Sequence, residues 1–300
     1  MKYLDYIVDA LAREAAWRYQ PRSEPASEPT ALVALALAAY GRDADAERAR
    51  AWLAAAQNAD GSVGVRAADH TPGWPTPLAL LAWTLHDSPK SLESPSASDS
   101  PDYADCCRRA TQWMLATVGE SSPRQEYTGH DTSLTGWPWV VGTHSWVEPT
   151  AMSLLALRAV GLGKHARARE AATLLQDRLL DRGGCNYGNT VVLDQQLLPH
   201  VQPTGLALLA LSGKEPATPL VAAALDYLAA ELGPMTTAAS LAWGLLGLAA
   251  FDRWPDAADS WLSAAAARAK RRGASHEMAL LALAGLKQRS PLVHLNRQIA

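Results

Sequence analysis

The chain has 300 residues, 27 basic and 30 acidic, with 48% of positions hydrophobic. Its length fits one large domain with a sizeable core, and its near-neutral balance offers no basic patch for nucleic acid. The three cysteines, Cys106, Cys107 and Cys185, form neither a disulfide framework nor a C-x-x-C pair, which fits a reducing, cytoplasmic setting.

The N-terminal stretch "MKYLDYIVDALAREAAWRYQ" carries charges throughout, so it reads as an amphipathic helix over residues 1–20 and not as a signal peptide. "SEPTALVALAL", from Ser27, is the first of a series of alanine-leucine runs. "GWPTPLALLAW" from Gly73, "WVEPTAMSLLAL" from Trp146 and "VQPTGLALLAL" from Val201 repeat its Pro-Thr opening. Two degenerate copies follow, "TTAASLAWGLLGLAAF" anchored on Thr237 and "SHEMALLALAGL" anchored on His276. Such self-similarity is the mark of a repeat architecture. Runs that are apolar on nearly every side predict helices buried all round.

Between them lie "DADAERARAWLAAAQ", "DYADCCRRATQWMLATV", "KHARAREAATLLQDRLL", "EPATPLVAAALDYLAAEL" and "RWPDAADSWLSAAAARAK". Their charged positions recur at helical period and predict helices with one face in water. Buried and half-exposed helices thus alternate, six of each when the N-terminal helix is counted. That count predicts an all-α fold, a closed α/α toroid of six inner and six outer helices in a single domain over residues 1–300. An open solenoid would want polar caps at both ends. The Ser/Pro-rich stretch at 88–102 reads as a mobile insertion.

Within each Pro-Thr opening, proline suits a first helical turn and threonine offers a capping hydroxyl. The residue before proline is biased out of helical geometry. Glu28, Trp74, Glu148 and Gln202 are therefore expected at the mouths of inner helices, gathered at one end of the ring.

On these stretches the chain resembles the terpenoid cyclase and protein prenyltransferase β-subunit toroids with their squalene-cyclase repeats. "RARAWLAAAQNADGSVG", Arg48 to Gly64, is similar to the family's glutamine-tryptophan repeat, with Val63 where the closing tryptophan is expected. "TTAASLAWGLLGL" looks like an inner helix of squalene–hopene cyclases, and "EPTAMSLLAL" and "QPTGLALLAL" resemble the same helix elsewhere. "GGCNYGN", Gly183 to Asn189, resembles a second repeat loop, with Cys185 and Tyr187 where aromatics are frequent. The resemblance implies that these loops fasten the outer layer.

It also implies a proton-donor position. The family's class II motif, Asp-x-Asp-Asp-Thr-Ala, corresponds here to Trp146-Val147-Glu148-Pro149-Thr150-Ala151. Glu148 falls on the acid, while Trp146 and Pro149 replace its two supporting aspartates. The helix dipole would hold such a glutamate ionised, and burial would oppose that. The loop "EYTGHDTSLTGWPWVVGTHSW" before it gathers further candidates. His144 and Asp131 join Glu148 as catalytic candidates. Glu28, Trp74, Trp137, Trp139, Trp146, Gln202, Trp243 and His276 are candidates for lining a substrate cavity.

The prenyltransferase zinc motif Asp-x-Cys is missing, although His276 sits at the last mouth. The aspartate-rich motifs of class I synthases are missing too, as is any Gly-rich phosphate loop. The expectation is therefore no metal and no cofactor. The implied ligand is an apolar, isoprenoid-like small molecule, acted on by a cyclase or isomerase; the alternative is a non-catalytic hydrophobic-ligand-binding or scaffold protein. No run is long enough to span a membrane, which leaves peripheral membrane contact and a partner subunit open.

Overall fold

A computed structural model of the chain describes residues 4–71, 73–85, 101–124, 128–213 and 218–295. The chain is mostly helical. Its α-helices are α1 (Asp5–Arg13), α2 (Ser27–Ala39), α3 (Asp43–Ala55), α4 (Thr76–Thr84), α5 (Tyr103–Ala116), α6 (Val147–Ala159) and α7 (Ala166–Asp177). They continue with α8 (Val201–Leu211), α9 (Pro219–Glu231), α10 (Ala238–Ala249), α11 (Ala258–Arg272), α12 (Ser275–Gly285) and α13 (Pro291–His294). A hairpin of β1 (Val191–Val192) and β2 (Gln195–Gln196), which the apolar pattern did not announce, precedes α8.

The alternation read from the sequence is present. Every residue of α2 from Ser27 to Leu37 and of α6 from Val147 to Leu157 is buried. By contrast α5 buries Cys106, Ala110 and Met114, a single stripe at four-residue spacing. The even helices pack in chain order, α2 on α4, α4 on α6, α6 on α8, α8 on α10 and α10 on α12, and α12 also packs on α2. The odd helices lie outside them: α3 on α2, α5 on α4, α7 on α6, α9 on α8 and α11 on α12. α1 packs on α12 and α2. The buried apolar side chains of these helices form one hydrophobic cluster.

Two contacts tie early chain to late chain. Ser275 Oγ donates to Glu14 Oε2 at 2.5 Å, and Tyr40 Oη donates to the Ala282 carbonyl at 3.2 Å. α1 is shorter than the expected 1–20: it ends at Arg13, and Trp17 turns back to donate its indole N–H to the Leu11 carbonyl at 3.0 Å. Most of the 88–102 segment, read as an insertion, lies outside the described residues; its last residue, Asp102, is described. It caps α5, its carboxylate accepting from the Asp105 amide.

The Pro-Thr element has a different mechanism from capping. The N-caps of α2, α4, α6 and α8 are Ala26, Pro75, Trp146 and His200, none with a side-chain cap bond. The threonine instead clasps the incoming loop. Thr76 Oγ1 accepts from the Val63 amide at 2.9 Å, Thr150 Oγ1 from the Trp137 amide at 3.0 Å and Thr204 Oγ1 from the Cys185 amide at 2.9 Å. Glu28, Glu148 and Gln202 are also not pushed out of the helix; each lies in the first turn. The first-turn amides have no intrahelical acceptor, so proline one place later breaks no bond.

Hydrogen bonds shape the two loops read as repeat loops. Gln57 Nε2 donates to the Gly61 carbonyl and, across to α5, to the Cys106 carbonyl, both at 3.0 Å. The Asn58 amide donates to the Ser62 carbonyl and the Leu180 amide to the Gly184 carbonyl, each at 2.8 Å, so "GGCNYGN" turns like the first loop.

Candidate functional site

The helix starts set a common register. Counted from the N-cap, Glu28, Glu148 and Gln202 are each the second residue of their helix, and so is His276 in α12. Met278, not His276, thus takes the place of the clasp threonine; anchoring the last copy on His276 set it two residues out of register.

These first-turn positions meet. Glu148 is buried, only 4% exposed. Burial pushes its carboxyl up to about 7; a hydrogen bond from Gln202 works against this, and the negative charge of Glu28 adds to it. The helix dipole is worth about 0.3–1 kcal/mol at such a position, and desolvation outweighs it. Glu148 Oε1 is buried without a hydrogen-bond partner. Cys185 and Tyr187 lie close enough to feel its charge; burial is the main cause that raises both, Cys185 to about 12.

Glu28 is the second carboxylate of the cluster. Tyr19 Oη donates to its Oε2, and His276 Nε2 lies 3.3 Å from its Oε1. That contact meets the distance of an ion pair but not the angle of a hydrogen bond, so His276 Nε2 is left without a hydrogen-bond partner. The Tyr19 and His276 rings are 5.2 Å apart. Tyr19 is raised by burial first and then by the charge and hydrogen bond of Glu28, so it stays protonated and donates.

Trp74 and Trp139 are half-buried and meet edge to face at 4.8 Å, linking the loop before α4 to the loop before α6. The half-buried Trp146 stacks with exposed His144 at 4.5 Å. His144 also lines a separate outer pocket of about 360 Å³ with Glu120, His130, Ser145, Arg178 and Asn189. That pocket contains none of the clustered helix-mouth residues.

Besides His144, three candidates are not brought to the cluster. Asp131 forms a local turn, its carboxylate accepting from the Ser133 amide at 2.9 Å and hydroxyl at 2.6 Å, which holds it below the usual range. Trp137 packs beneath Arg167 at 4.2 Å and donates to the Met114 carbonyl. It is the clasped residue of its loop, equivalent to Val63 and Cys185. A spacing of 13 residues to the next threonine, Val63 to Thr76 and Trp137 to Thr150, was the signal that could have revealed this. Trp243 is buried in α10, where its backbone meets Gly205 of α8. Tyr19 was missed altogether, because it lies in a stretch read as continuous helix.

Among the described residues no three His, Cys, Asp or Glu side chains converge as metal ligands, and no helix is long and apolar enough to cross a membrane.

No family model matches the chain, and no curated protein matches it. Among solved structures, the chain is similar to the crystal structure of a protein from Actinoplanes, with a TM-score of 0.55 and 18% identity over 90% of this chain and 80% of that one. This shows a shared fold. The type II terpene cyclase MstE from Scytonema, in its apo form, also matches, with a TM-score of 0.36 and 17% identity over 78% of this chain and 81% of that one. That similarity is distant, and no part of the site rests on it.

Proposed function

We propose that the chain is one domain, a closed α/α toroid, whose helix mouths hold an acid catalyst for a cyclase or isomerase reaction on an isoprenoid or other apolar substrate. Closure is supported by the packing of α12 on both α10 and α2. The observation that carries the activity is Glu148: a buried carboxyl with a pKa of about 7 and an unpartnered oxygen. A carboxylic acid kept neutral near pH 7 can protonate an alkene or epoxide, and one held ionised cannot. Aromatic faces nearby would stabilise the resulting cation. Trp74, Trp139 and Trp146 are the rings proposed for this role, with Gln202 orienting the acid. The setting is proposed to be the cytoplasm.

The test is a screen of linear isoprenoids with product analysis, comparing the wild type with Glu148→Gln. The variant should fold normally and lose turnover; full turnover by the variant refutes the acid assignment. The second reading is a hydrophobic-ligand binder without chemistry. It is favoured by Trp146 and Pro149, which leave Glu148 no carboxylate neighbour in its own segment. Under it, tight ligand binding would be found with no product from any substrate.

A further inference from the structure

The helix mouths hold two carboxylates in opposite settings. Glu148 has one neutral hydrogen-bond donor, Gln202, and an orphaned oxygen. Glu28 has a donor on one oxygen, Tyr19 Oη, and an imidazole nitrogen 3.3 Å from the other. Hydrogen bonds donated to a carboxylate favour its charged form, and Glu28 makes its negative charge felt at Glu148. Two carboxylates in one site, one with an orphaned buried oxygen and the other held by a donor, offer an acid and a base.

We propose that Glu28, positioned by Tyr19 and His276, is the proton acceptor that completes the reaction Glu148 begins. This inference rests on the acid role given to Glu148. In the first step the Glu148 proton passes to an alkene carbon; the π pair forms the new C–H bond and leaves a carbocation. In the last step Glu28 removes a proton from the carbon next to the cation, and that C–H pair becomes the new double bond. Glu28 then passes its proton through His276, whose side chain is 15% exposed, to solvent. Glu148 regains a proton from water as product leaves. No proton is gained or lost overall, so the substrate class is an alkene isomerised or cyclised without addition of water.

The arrangement also explains why the two ends of the chain must meet. Tyr19 comes from the segment after α1, Glu28 from α2 and His276 from α12. The acceptor does not exist until α12 packs on α2.

The test needs no turnover. N,N-Dimethyldodecylamine, protonated at pH 6, places a cation on an apolar tail and mimics the carbocation; 1-methoxydodecane is its neutral counterpart. Binding of each is followed through the intrinsic tryptophan fluorescence. The wild type should prefer the ammonium at least ten-fold. Glu28→Gln should lose that ten-fold preference, about 1.4 kcal/mol, while binding the ether as before. Glu28→Asp should restore part of it, and Glu120→Gln, in the outer pocket, should change nothing. Equal binding of amine and ether by the wild type, or an undiminished preference in Glu28→Gln, would overturn the proposal. The first of these outcomes needs no variant to fold. The acid role fails on a different observation, turnover retained by Glu148→Gln, so the two claims can fall separately.

Discussion

At Glu148 two local effects oppose each other, burial and the helix dipole, and burial is the larger. Burial raises the carboxyl from an ordinary 4.5 to about 7. A group whose folded pKa is raised binds more protons when folded, so stability falls as pH rises between the two values. At full effect this amounts to roughly 3 kcal/mol above pH 7, taking 1.36 kcal/mol per pKa unit. Glu148→Gln removes the titration. Relative to the wild type it should therefore gain stability between pH 5 and pH 8, by up to about 3 kcal/mol; denaturant unfolding at the two pH values measures this directly. Turnover should follow the opposite sense, highest below pH 7 and falling as Glu148 ionises. The sequence pointed to Glu148 through its place before Pro149-Thr150. It did not reveal the raised pKa, because burial is a product of the fold, and the groups brought within reach of the carboxyl, Gln202, Cys185 and Tyr187, come from a loop and helix far along the chain. Tyr19 gave no signal at all, since its role depends on α1 stopping at Arg13.

Between elements, the recurring threonine of α4, α6 and α8 holds the incoming loop to the helix it feeds. Thr150 is fully buried, and its hydroxyl is the acceptor for the buried Trp137 amide. Thr150→Val keeps the shape and orphans that amide, which should cost about 1–3 kcal/mol, read as a fall in the urea midpoint. Thr30, whose hydroxyl donates to the Ala26 carbonyl at 2.7 Å, provides a milder comparison. α8 and α10 depend instead on missing side chains. A Cβ at Gly205 would sit 2.4 Å from the Trp243 carbonyl oxygen, and one at Gly247 would sit 2.7 Å from the Gly205 carbonyl oxygen. Gly205→Ala should force the helices apart and destabilise by about 1–3 kcal/mol, seen as a lower thermal midpoint. The helices themselves were legible, because all-round apolarity and one-sided stripes differ plainly in the residues. Register was legible only where Pro-Thr was intact; in α10 and α12 the clasp position holds Leu241 and Met278, and no side-chain pattern marks it.

For the molecule as a whole, the decisive contact is between the first helix and the last repeat. α1 and the turn after it bury Leu4, Ile7, Val8, Leu11 and Trp17 almost completely. α1 packs on α12 and α2, the two even-numbered helices furthest apart in sequence. Each of the five side chains is worth about 1.5–3 kcal/mol of burial, so the five together are as large as the roughly 5–15 kcal/mol by which a domain is ordinarily stable. An open array would lose only a terminal unit on deletion, because each repeat there leans on its neighbours alone. In a closed ring the same deletion bares an inner helix that is apolar on every side, and it removes both Glu14, the partner of Ser275, and Tyr19, the partner of Glu28. Deleting residues 1–20 should therefore abolish cooperative unfolding, leaving a sloping melt by circular dichroism and exposed apolar surface that binds a hydrophobic dye. A truncated chain that still melts sharply near the wild-type midpoint would show that the remaining helices stand without closure, and the ring, with the acceptor site it assembles, would have to be given up.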